Sequence, residues 1–233
     1  MTRAIKWLIV LSVFASPSAA IAAHGTVVYY QESENGIQPY STRLIVTPEY
    51  LRFDDGNDSN DFLLFDRKQQ IIYSTNSMDR RTLVIRNRSI KPPPAPNWVN
   101  REETDNEQVP SIGKSAVKHL LLTTNNVVCY DLYAAQGLLP EVVNALGEYR
   151  RVLAVQQAEI LMLNKGNERS ACDLANNVYN PDRHLQHGFP VRIRDMDGRT
   201  KVLVNYRENA DFGSQLFKLP EGYKEFTVTE MYR

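Results

Sequence analysis

Cysteine and histidine are both scarce, with 2 and 4 in 233 residues. No C-x-x-C occurs, which excludes the usual disulfide-exchange motif and the paired spacing of zinc ribbons. No G-x-S-x-G occurs either, so the nucleophile elbow of the serine hydrolases is missing. Basic residues do not outnumber acidic ones, 27 against 27, whereas a nucleic-acid partner would want a basic excess. Beyond the first two dozen positions no apolar run approaches the roughly 20 residues that span a bilayer, so no integral membrane segment is expected in the mature chain.

Four local patterns imitate chemistry and fall short of it. His184-x-x-His187 places two imidazoles three apart, but Pro181 and Gly188 interrupt the segment and a zinc site wants a third protein ligand. Gly113-Lys114-Ser115 looks like the end of a P-loop, yet Gln108 stands where its first glycine belongs. Asp55, Asn57, Ser59 and Asp61 space oxygens like a calcium loop, but Asn60 replaces the glycine and Asp66 the bidentate glutamate. His24 falls near the start of the expected mature chain, where an amino-terminal copper site is conceivable, and one histidine does not make one. No catalytic residue, metal or cofactor is therefore assigned, and a non-enzyme is expected.

What the sequence does have begins with an address. Arg3 and Lys6 precede an apolar run from Trp7 to Phe14, and small residues follow through Ala23, with Ala20 and Ala22 fitting an A-x-A cleavage site. This anatomy predicts a secretory signal over residues 1–22, removed on export to a bacterial periplasm. The first cysteine is Cys129, too late for a lipid anchor, so a soluble, released protein is expected. Losing Arg3 and Lys6 from the balance of 27 and 27 leaves a net charge of about −2. In an oxidising compartment an isolated cysteine pair reads as a disulfide. Cys129 and Cys172 are 43 residues apart, and closing that loop stabilises a fold by about 4 kcal/mol.

Residues 23–233 read as one domain. Short runs of β-branched and aromatic residues, each closed by turn residues, predict strands over 25–32, 41–47, 50–53, 61–65, 70–74 and 81–86, with Asn35-Gly36 as a hairpin turn. One buried face is expected for these antiparallel neighbours. The pattern stops over 90–114, where Pro92-Pro93-Pro94-Ala95-Pro96 opens a long loop, and Trp98 inside it suggests docking. Strands return at 116–123 and 127–134. From Leu139 to Leu163, Val142, Leu146, Tyr149, Leu153 and Ile160 recur near a 3.6 period and predict a long helix with Pro140 in its first turn. A short helix is expected over 170–178, then strands over 190–195 and 200–207 about the turn Asp197-Gly198, and two closing strands at 216–220 and 226–229. The fold class is α+β: a strongly curved antiparallel sheet, an unclosed β-barrel, packed on one long and one short helix.

Three stretches carry a resemblance. Leu44 through Phe53 looks like the second hairpin of the periplasmic lipoprotein carriers LolA and LolB, Asp66 through Tyr73 like the next hairpin, and Leu216 through Tyr223 like their closing segment. The chain resembles that fold group over most of its mature length, and more closely an uncharacterised set of periplasmic relatives. The resemblance implies a half-barrel whose apolar concave face, capped by helices, holds acyl chains. Thr47 stands before Pro48 where the carriers keep an arginine, and the mature chain starts in a strand where LolA starts in a helix.

Two functions are expected from this reading. The first is binding of a lipid, a lipoprotein acyl chain or another hydrophobic ligand in the half-barrel, with Trp98, Leu146, Tyr149 and Leu153 as candidate ligand contacts. The second is a solid-cored envelope protein-interaction or stress-sensing module that presents its proline-rich loop to a protein partner.

Overall fold

The computed structural model describes residues 23–105, 108–163 and 169–231; the signal expected over 1–22 lies outside them. Hairpin follows hairpin because each short β-prone run is closed by residues that turn the chain. β1 (Ala23–Ser33), β2 (Tyr40–Val46), β3 (Tyr50–Asp54), β4 (Leu63–Asp66), β5 (Ile71–Asn76) and β6 (Arg81–Arg86) pair in succession. β8 (Val117–Thr124), β9 (Val127–Ala135), β10 (Phe189–Asp195) and β11 (Thr200–Phe212) form a second series, and β11 returns to pair with β1. With β7 (Asn100–Asp105) and β12 (Lys224–Phe226) at its edges, the sheet has 12 strands in the order β12-β6-β5-β4-β3-β2-β1-β11-β10-β9-β8-β7. It is curved and unclosed, and antiparallel except where β12 joins β6.

α1 (Pro140–Leu163) lies across the concave face. It begins at Pro140, as expected, since a missing N–H costs nothing in a first turn. Val142, Ala145 and Val152 are fully covered, and Val143, Leu146, Tyr149 and Leu153 pack against a core of Val28, Leu44, Leu51, Phe65 and Ile72. α2 (Ala171–Leu174) starts where the Ser170 hydroxyl accepts from the Asp173 N–H, at 3.1 Å. It widens into a π-turn over Ala175–Tyr179, the two together filling the expected short helix. The α+β architecture of curved sheet, long helix and short helix is thus as the sequence predicted.

Three expectations need correction. β1 to β4 bury both faces rather than one: Val28, Leu44 and Leu51 point at α1, while Val27, Ile45 and Leu64 form a second core with Phe62, Phe212 and Phe217 on the convex side. The cause is the C-terminal segment, which packs on that convex side. Its expected strands at 216–220 and 226–229 are instead a single 3-10 turn (Ser214–Phe217), the three-residue β12 and a short helix, α3 (Val228–Met231). Phe217 lies flat on Tyr50, with ring centroids 5.2 Å apart, so its apolar neighbourhood reflects docking rather than strand alternation. Finally, the loop expected over 90–114 contains β7, paired with β8 from Asn100↔Thr124 to Asp105↔His119. Every β7 residue is polar and exposed, so no alternation marks it, and its charges suit a sheet edge that must not attract another chain.

Candidate functional site

The space between the sheet and its helices is not filled throughout. A cleft of about 710 Å³ opens there, within the range of small-molecule sites. Its apolar floor comes from Phe53 on β3, Leu63 on β4, Leu146 and Tyr149 on α1, and Ile193 on β10. Leu146 and Tyr149 are three apart on one helix and so share a face. Tyr149 packs obliquely on Phe53 and edge-on to Phe65, at 5.6 and 6.1 Å between centroids. Burial pushes its phenol up to about 12, so it is neutral at physiological pH.

The helical wall is polar. The disulfide Cys129–Cys172 ties α2 to β9 with the Cα atoms 5.2 Å apart, and the π-turn that follows carries Asn176 and Asn177 to the cleft. Such turns recur at functional sites because they break the regular spacing of a helix. Arg150 braces the turn, donating from Nε to the Pro181 carbonyl at 3.0 Å and from one Nη to the Asn176 carbonyl at 2.8 Å and Asn177 Oδ1 at 3.0 Å. His184 lies beside Tyr130, with rings 5.2 Å apart. Burial, then the neighbouring Arg150, Arg183 and His187, push His184 down to about 3, so it is neutral. Among the described residues neither Asn176 Oδ1 nor His184 Nδ1 has a hydrogen-bond partner.

The rim is built from hairpin ends and is rich in carboxylates. Asp54 accepts two hydrogen bonds of 2.8 Å from Arg43 and one of 2.5 Å from Arg52. Burial would raise its carboxyl, but these two guanidiniums prevail and hold it below 3.8. Lys201 pairs with Glu32 at 2.7 Å and sits 4.5 Å above the Tyr30 ring. Arg199 spans Asp195 and Asp197, at 2.8 and 3.1 Å.

Of the residues singled out in the sequence, Leu146 and Tyr149 line the cleft. Leu153, further along α1, packs into the core beside it. Trp98 is elsewhere: it meets Tyr179 edge-on at 5.4 Å, and the Tyr179 hydroxyl donates to the Pro93 carbonyl at 2.9 Å, clasping the proline-rich segment. The two cysteines are joined as expected. The imitative motifs resolve into ordinary structure. Asp66 caps the Gln69 N–H, Asp61 binds Ser77, and Asp55 caps Asn57, so those oxygens are engaged separately. Gly113 sits in a tight turn closed by reciprocal bonds of Ile112 and Ser115, and His24 meets Asp211. His184 is covered, while His187 lies 3.3 Å from Glu102. Among the described residues no group of three His, Cys, Asp or Glu side chains could hold a metal, and no helix is long and apolar enough to cross a membrane.

Sequence reasoning missed the polar wall. Its one signal is Asn176-Asn177, two weak helix formers placed inside a helical run.

Together these elements define an α+β half-barrel with an internal cleft. No family model and no curated protein matches the chain. Among solved structures it is similar to an uncharacterised conserved protein from Thermus thermophilus, with 8% identity, a TM-score of 0.43, and coverage of 88% of this chain and 91% of that one. It is also similar to PNGF-II, with 11% identity, a TM-score of 0.44 and 90% of this chain covered; the chain spans 32% of PNGF-II.

Proposed function

We propose that the chain is a non-enzymatic binding protein of the bacterial periplasm that takes an apolar guest, a lipid or acyl chain, into its half-barrel. The observation that carries this reading is the cleft of about 710 Å³ floored by Phe53, Leu63, Leu146 and Tyr149. A guest that buries about 200 Å² of apolar surface there gains about 5 kcal/mol before the costs of association. The likeness of three segments to the lipoprotein carriers supports the same reading. The signal-like N-terminus and the Cys129–Cys172 disulfide support an oxidising, extracytoplasmic location.

Native mass spectrometry of protein purified from periplasm, followed by denaturing lipid extraction, tests the proposal. A bound apolar mass is expected; a clean apo mass, with no uptake of a fluorescent fatty acid, would reject it.

One observation favours a second reading, that of a protein-interaction module. The proline-rich segment is held on the surface by Trp98, Tyr179 and Pro93 rather than left free, which pre-forms it for a partner. On that reading, replacing residues 92–96 by a Gly/Ser stretch of equal length, which leaves β7 in place, removes capture of an envelope protein and leaves the melting temperature nearly unchanged.

A further inference from the structure

Among the described residues the unpaired charge lining the cleft is mostly negative, three carboxylates against one guanidinium. Of its cations, Lys201 is paired with Glu32 and Arg199 with Asp195 and Asp197, whereas Arg150 donates to the carbonyl oxygens of Pro181 and Asn176 and the side chain of Asn177 and has no carboxylate partner among the described residues. Of the lining carboxylates, Asp54 is neutralised by Arg43 and Arg52, and Asp173 by Arg169.

Glu34, Asp55 and Asp61 also line the cleft, and among the described residues none of the three forms an ion pair. Their contacts are with neutral groups: the Tyr40 hydroxyl donates to Glu34 at 2.6 Å, Asn57 donates to Asp55, and the Ser77 N–H and hydroxyl donate to Asp61. Arg199 lies near enough to Glu34 to feel its charge, but its bonds go to the two aspartates. Glu34 follows β1, and Asp55 and Asp61 lie between β3 and β4, so all three stand at one end of the sheet.

A second observation is independent of this acidic rim. Asn176 and His184 line the same cleft and are 5% and 8% exposed. Among the described residues Asn176 Oδ1, an acceptor, has no donor, and His184 Nδ1 has no partner either. A buried acceptor left unmade costs about 1–3 kcal/mol, which a ligand donor within reach would relieve.

On the reading that the cleft binds an apolar guest, we infer that the guest is a cationic amphiphile: a hydrocarbon chain carrying a primary ammonium group. The chain lies on Phe53, Leu63, Leu146 and Tyr149, and the ammonium meets the acceptors. An alkylammonium offers three N–H donors and no acceptor, the complement of carboxylates and an amide oxygen. A fatty-acid carboxylate or a phosphate offers only acceptors, and would meet the rim as a like charge.

The test is calorimetric titration with dodecylammonium and with dodecanoate, both below their micelle concentrations. Probes of equal chain length separate the head group from the tail. Dodecylammonium is expected to bind about tenfold more tightly, and raising the salt to about 0.5 M should narrow that gap, because exposed carboxylates act through a screened field. In Asp55→Asn/Asp61→Asn the gap should shrink to about threefold or less, with dodecanoate affinity unchanged or improved. Leu146→Trp, which fills the floor, should weaken both probes.

Equal affinities, or a preference for dodecanoate, would overturn the inference and leave the apolar cleft standing. So would dodecylammonium binding that Leu146→Trp leaves undiminished, since the probe would then be held outside the cleft. Failure of both probes to bind would remove the cleft reading itself and this inference with it. The salt dependence needs no variant, so the inference stays testable should a substituted chain not fold.

Discussion

Cys129 on β9 and Cys172 in the first turn of α2 are bonded to each other, and that bond pins the asparagine-bearing π-turn to the sheet beside the cleft. Both cysteines are buried, so the link is part of the wall rather than a surface staple.

Replacing both cysteines by alanine is expected to lower stability by about 4 kcal/mol, the entropy of a loop of this length. Urea titration of the oxidised protein and of the Cys129→Ala/Cys172→Ala chain measures the difference. Free-thiol titration of the native protein should find no thiols; two would contradict the disulfide. Because the π-turn loses its tether, the variant should also bind apolar probes more weakly at temperatures where it remains folded.

Asp54 lies between Arg43 and Arg52, and Arg52 in turn donates to the Leu216 carbonyl and stacks 3.8 Å above Phe62. Asp54→Asn leaves Arg52, which is 2% exposed, without its carboxylate and should cost about 3 kcal/mol. The acid limb tests the same group. A depressed carboxyl contributes stability that is complete above its unfolded value of 3.8 and is lost as the pH falls through the lower folded value. The wild-type protein should therefore lose more stability below pH 3.8 than the asparagine variant does.

His184 titrates at about 3 in the folded chain and at 6.5 when unfolded. Between those values the unfolded chain holds the extra proton, so stability falls as the pH is lowered, by about 1.4 kcal/mol per pH unit. His184→Gln should flatten that slope. Chemical denaturation at a series of pH values reads it, and an unchanged slope would mean that His184 is protonated in the native protein.

The fold was largely legible because its hairpins are local and their turn residues explicit: Asn35-Gly36 and Asp197-Gly198 announce their turns, and the spacing of Val142, Leu146, Tyr149 and Leu153 announces α1. What escaped was set by partners distant in sequence. β7 is Asn100-Arg101-Glu102-Glu103-Thr104-Asp105, a strand only because β8 offers it an edge. The convex core depends on Phe217 reaching Tyr50 from far along the chain, a contact no local pattern encodes. The site was half legible for the same reason. Leu146 and Tyr149 follow from helix periodicity, whereas Asn176 and His184 reach the cleft through a π-turn, a 3-10 turn (Arg183–His187) and a disulfide.

Methyl-resolved NMR during titration with a single-chain amphiphile tests most directly whether the cleft is where a guest sits. Binding there should move the methyl resonances of Leu63, Leu146, Ile193 and Met196, all of which line the cleft, and leave exposed Val127 and Val204 in place. Shifts confined to surface valines, or no shifts at saturating probe, would contradict it.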